Sequence, residues 1–324
     1  MFPILTDPMF EYTRLKGVIW GSGGLTRPSL VTTSAGKLLA SRSASMPIEQ
    51  PLLVNCSGVT SVADHALDAL AEPIEAGHVI ILHSAQSIYE DIAGRYNGIP
   101  NSTHENKIIC FGKKRPNEQA IAEMLASVPK LEDDFTRSAI ASCFHRFPDG
   151  KSQRLISTPL LATGLCDLSK VLANPRQFQW VALLMADRLQ KFLISKPHEL
   201  HGVENTELRL LAVSLRASPL AVAIALLAEQ KVDLVDHMGP IQKILEEDRV
   251  TVRNERRLYI FIADFIVGGS ELRVAKAFAA LRHSEIIHAI AVGTYLAESD
   301  YSVRPSVEAL GNLRSTCPEM LLSF

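Results

Sequence analysis

The run LYIFIADFIVGGSELRVAKAFAAL, Leu258 to Leu281, limits the fold more than any other stretch of the chain. Six uncharged residues lead into a single acid, Asp264; Val267, Gly268, Gly269 and Ser270 then interrupt the run, and apolar residues resume at helical spacing. A strand this continuously apolar needs cover on both faces, which is the condition of a strand inside a parallel sheet. A second unit of the same kind precedes it. ELRLLAVS reads as a strand, LRAS as a tight loop, PLAVAIALLAEQ as a helix and KVDLVD as the next strand, while IIHAIAVG follows the later unit as one strand more. Ser218 is placed to be the N-cap of the first helix and Pro219 its first helical residue. Strands alternating with helices in this way predict an α/β fold built on a Rossmann-like parallel sheet.

In such a sheet the loops at the carboxyl ends of the strands line the ligand crevice, and helix N-termini there offer backbone N–H groups to anions. Both loops therefore face one crevice. The Val267-Gly268-Gly269-Ser270 turn can close around a phosphate and add a hydroxyl donor, Ser214, Arg216 and Ser218 line the neighbouring loop, and Asp264 can accept hydrogen bonds from a diol. Plain readings stand beside these: Asp264 as a turn acid capping the next helix, the glycines as an ordinary βα turn, and Arg216 as a surface arginine.

The chain has 324 residues, of which 47% are hydrophobic and 21% charged, enough for two domains that each bury a core. We expect a small N-terminal α/β accessory domain over residues 1–140 and the parallel-sheet domain over 141–324, with the boundary in the polar segment ASVPKLEDDFTRS. Residues 1–50 read as short strands and turns. Gly21, Gly23 and Gly24 read as a turn between strands rather than a dinucleotide loop, because the Gly-x-Gly-x-x-Gly spacing is missing and Pro28 stands where a phosphate-binding helix would begin. Over residues 51–112, PLLVNCSG, HVIILHS and NKIICFG read as strands and VADHALDALAEPI and SIYEDIAGRYN as helices. That pattern is faintly similar to the STAS family of regulatory domains, which implies a partner-binding face in the N-terminal half.

A net charge of -2 gives no global attraction for nucleic acid or anionic membrane. Tyrosine and tryptophan are too rare for a nucleic-acid stacking platform, and no apolar run reaches the roughly 20 residues of a membrane span. Five scattered cysteines (Cys56, Cys110, Cys143, Cys166, Cys317) lack metal or redox spacing and fit a reducing cytoplasm. No set of residues has the spacing of a protein-held metal site. His65, His78, His83, His283 and His288 read as surface or core positions, and His237, in VDHMGP near the crevice, is the histidine placed to act on a ligand.

The acid, apolar pair, glycine turn and helix of the opening stretch resemble the PRPP-binding signature of type I phosphoribosyltransferases, and the order of elements over about residues 150–295 is similar to the orotate branch. RLISTPLLATGLCDLSKVLANP resembles that branch's opening segment, LLAVSLRASPLAVAIALLAE its pyrophosphate-loop unit, and VDHMGP falls at its mobile catalytic loop. The resemblance implies PRPP or a nucleotide as ligand, Mg2+ as companion ion, a homodimer, and transfer of phosphoribosyl to a base with release of pyrophosphate. It implies Asp264 and His237 as catalytic candidates, and Ser214, Arg216, Ser218, Val267, Gly268, Gly269 and Ser270 as phosphate contacts. The sequence also departs from the pattern. The first of the usual two acids is Ala263, the threonines before the glycine are Val267 and Gly268, and only Lys231 stands ahead of the expected mobile loop. These departures leave open a second expectation: a sensor or effector that keeps the pocket without turnover and works with a protein partner, as divergent members do in bacterial antiviral cassettes such as retrons.

Overall fold

A computed structural model describes residues 4–16, 18–20, 27–29, 33–59, 62, 67–95, 108–112, 114, 116–148, 151–154, 161–195, 207–235, 257–295, 306–320 and 322–323. The chain divides into two units, Met1–Phe135 and Thr136–Phe324.

The first unit contains β1 (Ile4–Thr6), β2 (Glu11–Lys16), β3 (Val18–Trp20), β4 (Arg27–Ser29), α1 (Thr33–Ala44), β5 (Leu52–Gly58), α2 (Ala71–Glu75), β6 (Ile80–Ser84), α3 (Gln86–Arg95), β7 (Ile108–Phe111) and the start of α4 (Glu118–Ser142). Its main sheet has the order β1-β2-β5-β6-β7. Strands β2, β5 and β6 run parallel, and β1 and β7 close the two edges antiparallel. The apolar runs read as strands are β5, β6 and β7, and their inward residues Val54, Leu82 and Ile109 share a core with Ile88 of α3.

One local expectation fails here. TSAGKLLASRSA, in the region read as strands and turns, is the helix α1; its Ala, Leu and Lys content suits a helix, and Leu39 anchors it in the core. ASVPKLEDDFTRS, expected to carry the domain boundary, contains the point where the two units divide, between Phe135 and Thr136, and it forms part of the 25-residue helix α4 despite Pro129. The buried residues Ile121, Met124 and Val128 recur at helical spacing, and that apolar stripe outweighs the polar composition of the segment. Gly21, Gly23 and Gly24 lie outside the described residues, but the flanking strands β3 and β4 pair antiparallel with Trp20 opposite Arg27. That is the geometry of a hairpin and not of a strand leading into a helix.

The second unit continues with β8 (Phe144–Arg146), β9 (Gln153–Arg154), β10 (Leu161–Ala162), β11 (Gly164–Cys166), α5 (Ser169–Ala173), α6 (Pro175–Ser195), β12 (Glu207–Ala212), α7 (Ser218–Ala228), β13 (Lys231–Leu234), β14 (Arg257–Ile266), α8 (Ser270–Leu281), β15 (Glu285–Thr294), β16 (Ser306–Asn312), α9 (Leu313–Thr316) and β17 (Leu322–Ser323). Its five-stranded sheet has the order β13-β12-β14-β15-β16, and every pairing is parallel.

Alternation along the strands explains the layers. Leu210, Ala212, Ile260, Ile262, Ile290 and Val292 pack with Met185 and Leu189 of α6 and Leu220 and Ile224 of α7. Their neighbours in sequence, Leu211, Tyr259, Phe261, Ala263, Ala289 and Ala291, pack with Val274, Ala275 and Phe278 of α8. Both faces of the sheet are thus buried, as the near-continuous apolar runs require, and each fully buried Ile or Phe contributes about 1.5–3 kcal/mol.

From β12 the chain crosses by α7 to β13 on one side, whereas β14, β15 and β16 progress to the other. Right-handed crossovers in opposite directions place α7 and α8 on opposite faces. The strand order therefore reverses between β12 and β14, and a crevice opens at the carboxyl ends of those two strands.

Candidate functional site

The crevice is built from the segments that leave β12 and β14. After β12 the chain makes a helical turn in which the amide of Ser218 donates to the carbonyl of Ser214 at 3.0 Å. The Ser214 hydroxyl accepts from the amide of Ala217 at 3.2 Å, and the Ser218 hydroxyl donates to the Ser214 carbonyl at 2.8 Å. The N-cap of α7 is Ala217 with no side-chain cap bond, so Ser218 is the first helical residue and not the cap. Helical backbone at Ala217 carries the winding one residue further back than the Ser-Pro pair suggests. Both serine hydroxyls are spent on their own turn, and neither residue is among those lining the cavity described next. Arg216, between them, is exposed and does line it.

After β14 the turn Val267–Gly269 leads directly into α8. Gly269 is the N-cap at φ 68° and ψ 14°, a left-handed conformation that glycine adopts without strain. A Cβ built at Gly269 meets nothing within 4 Å, so the residue is needed for its backbone angle rather than for close packing.

Asp264 is the third residue from the end of β14 and is only 6% exposed. The inward alternation slips at this point: Ala263 packs under α8, whereas Phe265 packs toward α6 and α7 and Ile266 returns to the α8 side. The Asp264 carboxylate accepts from the amide of Phe265 at 2.7 Å. Ala263, where the resemblance implies a first acid, is fully buried in the core beneath α8. Nothing at that position can reach a ligand.

A cavity of about 430 Å³ joins the two segments. Arg216, Asp264, Val267, Gly268, Gly269 and Ser270 all line it. Phe147, Leu165, Cys166 and Met320 line it as well, with Gln153 and Arg154 of β9. The lining thus combines charged groups with apolar side chains. His237 lies outside the described residues.

Two charged lining residues have no counterpart in the sequence reading. Glu271, in the first turn of α8, contributes a second carboxyl group to the cavity, and its Oε2 is buried without a hydrogen-bond partner. Acids are common in the first turn of a helix, where they favour the dipole, so the sequence marks Glu271 as ordinary. Its burial is a tertiary effect. Arg154 escaped notice for a similar reason, since a two-residue strand leaves no periodic signal.

The electrostatics follow from burial. Loss of water raises the pKa of Asp264 above the carboxylate range, opposed by the Phe265 amide and by the charge of Arg216. Glu271 is pushed up to about 7 by burial first and the charge of Asp264 second, again opposed by Arg216. Asp167, beside the cavity, moves the other way: bonds from the hydroxyl and amide of Ser169 hold it below the usual value, with Arg216 adding to the effect. Burial raises the Cys166 thiol, which disfavours its thiolate form.

Among the described residues no group of three or more His, Cys, Asp or Glu side chains could hold a metal ion. Among the described residues no helix is long and apolar enough to cross a membrane.

No family model matches the sequence, and no curated protein matches it. Among solved structures, the orotate phosphoribosyltransferase of Aeropyrum pernix is similar at 11% identity and a TM-score of 0.40, covering 57% of this chain and 98% of that one. The adenine phosphoribosyltransferase of Trypanosoma brucei, solved with AMP, pyrophosphate and ribose-5-phosphate, is similar at 14% identity and a TM-score of 0.35, covering 56% and 80%. The UMP synthase of Leishmania donovani is similar at 11% identity and a TM-score of 0.41, covering 90% and 84%. Likenesses this distant say nothing of the side chains in the cavity, whose chemistry is this chain's own.

Proposed function

We propose that the second unit binds a phosphorylated ribose, as PRPP or a nucleotide, in the cavity between Arg216 and the Val267–Ser270 turn. The observation that carries this reading is the meeting of the two strand-end turns in one cavity at the point where the strand order reverses, with a buried carboxylate between them. Backbone N–H groups at the start of α8 and the Ser270 hydroxyl suit a phosphate. Asp264, already turned to the cavity and holding one donor, suits ribose hydroxyls as hydrogen-bond donors. The apolar side chains of Phe147, Leu165 and Met320 in the lining suit the flat face of a base.

Transfer chemistry is part of this reading. A ring nitrogen of the base would form a bond to C1 of the ribose as the C1–O bond to pyrophosphate breaks, and the nitrogen's proton would leave to solvent. Arg216 would stabilise charge gathering on the departing pyrophosphate. An ion such as Mg2+, if it accompanies the ligand, would neutralise charge on the phosphate oxygens. Homodimerisation, and a protein partner for the first unit, belong to the same proposal.

The buried, apolar Ala263 favours a second reading, in which the pocket binds without turnover and the protein acts as a sensor. One set of measurements separates the two. Calorimetry with PRPP and Mg2+ reads binding, a pyrophosphate assay with the common nucleobases reads turnover, and Asp264→Ala is carried through both. Binding with pyrophosphate release that the substitution abolishes supports the transferase; binding without release supports the sensor. A folded protein that binds neither PRPP nor nucleotides overturns both.

A further inference from the structure

Arg216 and the glycine turn draw anions into the cavity, and Glu271 opposes them. Its position is fixed by α8, it lines the same cavity as Asp264, and its buried Oε2 has no donor. An ionised carboxylate oxygen buried without a donor is costly, and a second negative charge at Asp264 adds to the cost. Among the described residues, Asp264 from β14 and Arg216 from the β12 turn are the charges that act on Glu271, while Arg216 and Asp167 act on Asp264. Arg154 also lines the cavity, from β9. A ligand phosphate at this turn would bring two more negative charges to a place where two carboxyl groups already share Arg216.

We infer that Glu271 sets the ligand selectivity of this cavity: a phosphate dianion enters only together with a proton taken up by the Glu271 carboxyl, so phosphorylated ligands are disfavoured relative to unphosphorylated ones as pH rises. The inference rests on the phosphoribose reading of the cavity. It assigns a specificity role to a residue of the helix rather than to the turn or the strand-end acid. The raised pKa of Glu271, about 7, agrees with a carboxyl that can be protonated near neutrality.

The test is calorimetry of the full chain with ribose 5-phosphate, and with ribose as the uncharged control, between pH 6 and pH 8.5 in buffers of different ionisation enthalpy. A group titrating near pH 7 is about one-tenth protonated one unit higher, so wild-type affinity for ribose 5-phosphate should fall about tenfold per unit above neutrality, with uptake of roughly one proton. Glu271→Gln should bind ribose 5-phosphate about tenfold more tightly than wild type at pH 8 and lose that uptake, with ribose affinity unchanged. Glu271→Ala repeats the comparison without an amide in the cavity. Wild-type binding that Glu271→Gln leaves equal at pH 8, or a proton uptake that survives the substitution and so belongs to the phosphate itself, overturns the inference while the phosphoribose reading stands. Failure of folded wild type and both variants to bind ribose 5-phosphate at any pH overturns that reading and this inference together.

Discussion

The two ends of the parallel sheet in the second unit treat charge in opposite ways. At the amino ends of β12, β13 and β14, Arg209 bridges Glu207 at 2.8 Å and Asp233 at 2.7 Å. Asp233 also meets Arg257 at 3.3 Å and accepts from the Tyr259 hydroxyl at 2.7 Å, and Lys231 pairs with Glu207. Every acid there has a cation and a hydrogen bond, and the Lys231 bond, followed by Arg209, pulls Glu207 below its usual pKa. At the carboxyl ends of β12 and β14, by contrast, two carboxyl groups face a cavity with Arg216 as the cation that acts on both, and their pKa values are raised. The first arrangement stabilises a fold; the second costs stability and is retained at an open cavity. Strain and unbalanced charge of that kind collect where ligands bind.

Four substitutions break or sharpen this contrast. The largest effect is expected at the paired end. Arg209→Ala removes the closer of the two arginines that Glu207 and Asp233 share and should cost about 2–4 kcal/mol in urea unfolding, with ligand affinity unchanged. At the cavity end, Asp264→Asn should leave stability the same or higher while weakening binding of a ribose ligand roughly tenfold to a hundredfold by calorimetry, the scale of a hydrogen bond to a charged acceptor. The third, Glu271→Gln, turns on sign. A carboxyl whose folded pKa is raised stabilises the fold below its unfolded pKa and loses that contribution as pH rises through the folded value, here about 7. Removing the charge should therefore raise stability by about 1–3 kcal/mol at pH 8 and by nothing at pH 4. The smallest effect is Gly269→Ala. A side chain has room there, so the cost is the left-handed backbone alone, about 1 kcal/mol by thermal unfolding.

The sheet could be read in the sequence because LYIFIA and IIHAIAVG are too apolar for one wet face, and the glycine turn marked where β14 gives way to α8. Arg216, Asp264 and the turn were legible for the same reason, since strand-end loops in such a sheet converge. Glu271 was not. Its neighbours in sequence give no sign that α8 turns it into a cavity, and only packing reveals a half-buried acid whose Oε2 lacks a donor. Ser214 and Ser218 erred in the opposite direction: hydroxyls near a helix start suit a ligand as well as they suit the local turn, and here the turn's own carbonyl and amide took them. The N-terminal helix α1 was missed because a short Ser- and Ala-rich segment with weak amphipathicity carries little periodic signal.

The most direct test of the central claim is a crystal structure of the chain grown with ribose 5-phosphate. The account predicts the phosphate at the Gly268–Ser270 turn, the ribose hydroxyls on Asp264, and Glu271 facing the phosphate from α8. Ligand density elsewhere on the molecule, or a sugar bound in this cavity with Asp264 turned away from it, would contradict it.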